Sequence, residues 1–188
     1  MAQSLLNTPI LWINTYLKEK LEEQLAITIP NFNIPFFPTS PSTIDTLTTT
    51  FPDGAGTMCV YDRMFKMRRK PFPHIKCEQV LYYFYAVGSS PNLTMIQIQE
   101  AVLRIMDRED ETATEINEYF KGRTIDVADQ NGTTVSLSPN FYFHNFKIYH
   151  LEESRDIVDF GTARTYAGNK IIIDYDYHLS VDPNSPDF

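Results

Sequence analysis

Near the start of the chain, apolar positions recur every three or four residues. Ile10, Ile13, Leu17, Leu21 and Leu25 form one stripe, and Lys18, Glu19, Lys20, Glu22 and Glu23 occupy the opposite side. Thr8 is placed to cap such a helix, and Pro9 suits its first position, where the missing N–H costs nothing. The stripe predicts an amphipathic helix lying on a sheet or on a neighbouring subunit. The helical period then stops. AITIPNFNIPFFP, residues 26–38, is rich in β-branched and aromatic side chains but broken by Pro30, Pro35 and Pro38. Proline cannot donate to a central ladder, so the segment reads as extended chain and edge strand.

Beyond a Thr-, Ser-, Pro- and Gly-rich stretch the pattern becomes strand-like. MCVYDRMFKMRR (58–69) suits a strand, KPFPH interrupts it, and CEQVLYYFYAV (77–87) alternates Val80, Tyr82, Phe84 and Ala86 with Leu81, Tyr83 and Tyr85. Apolar side chains on both faces predict a central strand, covered on both sides or with one face used between subunits. Ser90 and Pro91 open a second helix with Met95, Ile98, Val102 and Ile105 on one face, ending in DREDE. The spacing from Thr112 to Glu115 is that of a capping box, which predicts a third helix closed by Gly122. This helix pair is expected to cover one side of the sheet.

Asn131-Gly132 between β-prone flanks predicts a hairpin, and FYFHNFKIYHL (141–151) a further strand. Gly168-Asn169 is read as a turn into a final strand, Lys170 to Leu179. In that strand Ile171, Ile173, Tyr175 and Tyr177 share one face, while Asp174, Asp176 and His178 share the other. The whole predicts an α+β fold. A mainly antiparallel sheet is packed by an N-terminal helix and a helix pair, with a long extended arm or loop at about 38–57. One domain over residues 1–180 and a frayed tail, 181–188, complete the expectation.

Composition narrows the function. Aromatic residues make up 13% of the 188, which favours broad contact surfaces, and the net charge of −8 offers nucleic acid no long-range attraction. The basic residues are nevertheless clustered: Arg63, Lys66, Arg68, Arg69, Lys70 and Lys76 are six of the sixteen. Such a run is either a solvated face or a docking patch for an acidic partner. Cys59 and Cys77 have no zinc or disulfide spacing, so reduced, buried thiols are expected. The first residues lack a basic, then apolar, leader pattern, so synthesis in a cytoplasm and no membrane insertion are expected.

Phosphate-binding glycine loops, a nucleophile elbow and the zinc-protease helix motif do not occur in the sequence. Asp174, Asp176 and His178 offer ligand atoms, but same-face neighbours on a strand lie roughly 6.5–7 Å apart. Three in line do not surround an ion, so His144, His150 or another element would have to complete a site. No metal, no cofactor and no enzymatic activity are expected. A metal-dependent hydrolase built on those three residues is the competing reading.

The amphipathic first helix, the extended arm, FKMRRKPFPHIKCEQVLYYFY, the helix pair and the terminal GTARTYAGNKIIIDYDYHL together resemble the tail-terminator or tail-completion proteins of T4-like contractile-tailed bacteriophages, especially those of cyanobacterial hosts. The resemblance covers most of the chain and rests on overall pattern, not on a catalytic motif. It implies a homo-oligomeric ring, usually a hexamer, at the head-proximal end of the tail. The ring would end polymerisation of tail tube and sheath and dock the neck, with DNA passing through without sequence-specific binding. The address would be the virion, after synthesis in the host cytoplasm, and a head-side neck or connector protein is the alternative. On this reading Arg63, Lys66, Arg68, Arg69 and Lys70 meet an acidic neighbour. Asp174, Asp176 and His178 then border an interface or the lumen.

Overall fold

In the computed structural model, residues 8–38, 56–64, 75–88, 90–128, 132–152 and 166–179 are described. Helix α1 (Pro9–Leu25) is followed by β1 (Phe36–Pro38), β2 (Gly56–Met64) and β3 (Lys76–Val87). Next come helices α2 (Pro91–Met106) and α3 (Asp110–Phe120). The strands β4 (Ile125–Ala128), β5 (Thr134–Leu137), β6 (Phe141–Glu152) and β7 (Tyr166–Leu179) complete the described chain. The fold is α+β: a mixed, mainly antiparallel five-stranded sheet in the order β1-β2-β3-β7-β6, and a two-stranded sheet of β4 and β5.

Helix α1 begins with Pro9 in its first turn and Thr8 extended at the N-cap position, although the Thr8 side chain makes no cap hydrogen bond. Its stripe is wider than the aliphatic spacing alone indicates, because Trp12 and Tyr16 are also buried beside Ile13, Leu17 and Leu21. Each such side chain contributes about 1.5–3 kcal/mol on leaving water. The helix packs against α2 and α3. Trp12 meets the Phe120 ring edge-on at 4.7 Å, and Tyr16 meets Tyr119 at 5.3 Å. It reaches the sheet at Asn14, whose Oδ1 accepts the buried Tyr82 hydroxyl at 2.7 Å.

The first part of the segment expected to be extended after α1, residues 26–31, instead turns. Ile29 N–H returns to the Leu25 carbonyl, Phe32 N–H to the Ile29 carbonyl, and Asn31 takes φ 59°, a left-handed conformation that asparagine tolerates. Only Phe36–Pro38 becomes strand, parallel to β2 and at the edge of the sheet among the described residues. Proline at its end is tolerated there because one side of the strand needs no ladder donor.

β3 is central, antiparallel to β2 on one side and to β7 on the other. Its predicted neighbour α2 starts at Pro91 and ends at Met106, before the charged run. Helix α3 departs from the capping-box reading, since it starts at Asp110. Thr112 lies inside it, fully buried, and its hydroxyl donates to the Ile105 carbonyl at the end of α2. It therefore closes the preceding helix, and Glu109, at φ 46°, makes the tight turn between the two. Gly122 follows α3 at φ 70°, the conformation for which a glycine C-cap is suited.

β4 and β5 pair antiparallel, as the Asn131-Gly132 signal predicts. Gly168 and Asn169 do not turn the chain. They sit within β7 opposite Tyr85 and Phe84, because β3 runs on to Val87 and its ladder continues to Tyr166. The Asn169 side chain points to the helix side, where its Nδ2 donates to Gln99 of α2 at 2.9 Å.

Candidate functional site

All three helices lie on one face of the large sheet, where one continuous core joins α1, α2 and α3 to Val80, Tyr82, Phe84, Phe143, Phe146, Ile171, Ile173, Tyr175 and Tyr177. The last four are the apolar face predicted for the final strand. A carboxyl group lies within this layer. Glu78 is buried and accepts hydrogen bonds from the Tyr175 and Tyr177 hydroxyls, each at 2.7 Å. Two donors offset the desolvation that a lone buried carboxyl would suffer.

The opposite face carries two kinds of surface. Toward β2, Met58, Val60 and Val87 form a second apolar cluster with Phe37, Tyr83 and Tyr85. Toward β6 the side chains become polar. Asp174 is paired across the strands with Gln79 and Lys147, Asp176 with Cys77 and Asn145, and His178 with Tyr142. Gln79 Nε2 donates to Asp174 Oδ1. Asp176 is buried, at 4% exposure, whereas Asp174 and His178 are half-buried. The acidic row expected along this face is thus not an open surface at its middle position.

His178 has a partner that strand periodicity does not supply. The pairing steps from Phe143–Tyr177 to Asn145–Asp176, so His144 is an extra residue in β6, a bulge. The bulge brings His144 Nε2 to 2.6 Å from His178 Nδ1, with ring centroids 4.8 Å apart. Tyr142 lies beside both rings, at 5.4 and 5.5 Å. The even spacing of His144 and His150 on an uninterrupted strand predicts nothing of this.

β6 is the outermost of the described strands on its side of the sheet. Its outer edge is closed at one point by Asn117 of α3, whose Nδ2 donates to the Phe143 carbonyl at 2.8 Å and whose Oδ1 accepts the Phe143 N–H at 3.0 Å. A second irregularity lies between Ile148 and His150, at the exposed Tyr149. Below the Asn117 clamp is a cleft of about 410 Å³ lined by Trp12, Phe120, Arg123, Phe141, Tyr142 and Phe143 among others.

Of the predicted basic patch, Arg63 is at a position in β2 that pairs with Val80, and Lys66, Arg68, Arg69 and Lys70 lie outside the described residues. Among the described residues no group of three or more His, Cys, Asp or Glu side chains is arranged to hold a metal ion. Both cysteines are buried, and burial pushes the Cys59 thiol well above its ordinary titration. That thiol is a poor nucleophile at neutral pH. No described helix is long and apolar enough to cross a membrane.

No protein-family model matches the chain, and no curated protein matches it. One solved structure aligns with 92% of this chain and 96% of its own at 10% identity, with a TM-score of 0.35. A likeness that low bears on neither fold nor function.

Proposed function

We propose that this chain is a structural subunit of a bacteriophage virion. It forms a ring at the head-proximal end of the tail, stops growth of tube and sheath, and offers the neck its docking platform. The sequence pattern described above suggests the family, and one structural observation supports assembly through strands. Among the described residues β6 is a twelve-residue edge strand, blocked by Asn117 at Phe143, with the exposed Tyr149 further along. An edge of that length is a template for pairing with another chain, and a closed ring uses such edges up.

The mass of the purified protein by light scattering, with and without isolated tail tubes, tests the reading. A discrete ring under either condition is expected. A monomer that neither associates nor binds tubes would overturn it. Cryo-electron microscopy of intact particles then separates a tail-side ring from a head-side neck or connector subunit.

A further inference from the structure

We propose that His144 and His178 form a two-imidazole binding site for a divalent transition metal ion of the copper, nickel or zinc type. The site does not depend on the ring reading, which places His178 at an interface or the lumen and gives His144 no role. Its geometry begins with the bulge in β6. An extra residue in one strand re-aims a side chain, and here it sends His144 across to His178 of β7. The facing atoms, Nε2 of His144 and Nδ1 of His178, are 2.6 Å apart.

Two imidazole nitrogens at that distance share one proton, donor on one ring and acceptor on the other. A metal ion takes a lone pair from each of these atoms once the donor ring changes tautomer, its proton passing by way of water to that ring's other nitrogen. Copper, nickel and zinc all suit imidazole ligands. With bonds of about 2.0–2.1 Å to each nitrogen, the two atoms need to separate by less than about 1 Å. Rotation of both side chains, whose ring planes lie 31° from parallel, opens that gap.

The surroundings suit a partly protein-held ion. Both histidines are half-buried, so water reaches the remaining coordination positions. Asn145, next to His144 on β6, has a buried Oδ1 that makes no hydrogen bond, and its strand pairing places it opposite Asp176 on the same face. A metal-bound water is a strong donor, and an unsatisfied acceptor beside the site is where such a water finds its partner. Asp176 lies on the same face without being a ligand.

The test uses the full chain. Calorimetric titration with Cu²⁺ and with Zn²⁺ is expected to show one ion per chain, binding copper more tightly than zinc. Affinity is expected to fall at least tenfold in His144→Ala and in His178→Ala and to stay unchanged in His150→Ala. Should the alanine variants fail to fold, the unaltered protein still decides. Nitrogen-15 shifts of the histidine rings on adding Zn²⁺ must move at His144 Nε2 and His178 Nδ1. Absence of binding, or shifts confined to other side chains, would overturn the proposal.

Discussion

Asn117 holds Phe143 as a neighbouring strand would, with its amide nitrogen on the Phe143 carbonyl at 2.8 Å and its amide oxygen on the Phe143 N–H at 3.0 Å. A helix side chain thus fills one repeat of the sheet's outer ladder and halts pairing there. Native sheets manage edges by such means, so pairing between subunits falls to the part of β6 away from Phe143. Replacing Asn117 with Ala should cost about 1–3 kcal/mol in urea unfolding, since a backbone donor and acceptor both lose their partner. The variant should also associate more readily in light scattering. Unchanged association would mean that Asn117 does not limit pairing at this end of β6.

Glu78 ties two aromatic side chains of β7 to β3 from inside the core. Glu78→Ala should destabilise more than Tyr175→Phe or Tyr177→Phe, because the alanine strands two buried hydroxyls at once. In a double-mutant cycle between Glu78 and Tyr175, a coupling of about 1 kcal/mol or more is expected. Additive effects would show that the hydrogen bond contributes nothing net.

The exposed ion pair between Arg108 and Glu115 gives a pH signature. Arg108 donates to both Glu115 oxygens, at 2.8 and 2.6 Å, and holds that carboxyl below the ordinary carboxylate value. The folded state therefore keeps its proton off at a pH where the unfolded chain has taken one up. The stabilisation is complete above the unfolded value, about 4.3, and is lost as pH falls through the lower folded value. Solvent screening limits it to about 1 kcal/mol or less. The stability difference between the native chain and Glu115→Gln should shrink in acid and in high salt. A constant difference would assign it to the Tyr16 hydroxyl, which also donates to Glu115, at 2.9 Å.

Two glycines should answer alanine in opposite ways. Gly122 has φ 70° with open space around it, so Gly122→Ala should cost about 1 kcal/mol from backbone strain alone. Gly168 is in ordinary strand conformation, and an added methyl would meet the Tyr85 ring at 3.7 Å, a normal contact. Gly168→Ala should be neutral or slightly stabilising, as the unfolded chain loses freedom. Thermal unfolding of the two variants side by side checks the contrast.

Where one segment carried its own period, its structure was readable from sequence. The stripe of α1, the two-faced alternation of β3 and the Ile171–Tyr177 face of β7 required only spacing and the wish of apolar groups to leave water. Errors came where a local signal competed with a distant partner. Thr112 had the spacing of a cap but closed the end of α2, and Gly168-Asn169 had turn chemistry but was held extended by β3. His144 could not be placed beside His178 from spacing, because a bulge shifts the register without leaving a mark in the residue types. Asn117 gave no signal at all, since nothing in a helix sequence marks which amide meets a strand edge.

The place of β7 has a consequence for how this protein comes into being. It lies between β3 and β6, and the Gln79–Asp174 contact alone spans 95 residues of chain. While a ribosome is still making α2, α3 and the small hairpin, one side of β3 has no strand to pair with, and its Tyr, Phe and Val side chains are exposed. The large sheet closes only when nearly the last described residues emerge, so the chain is most vulnerable to off-pathway association during its own synthesis.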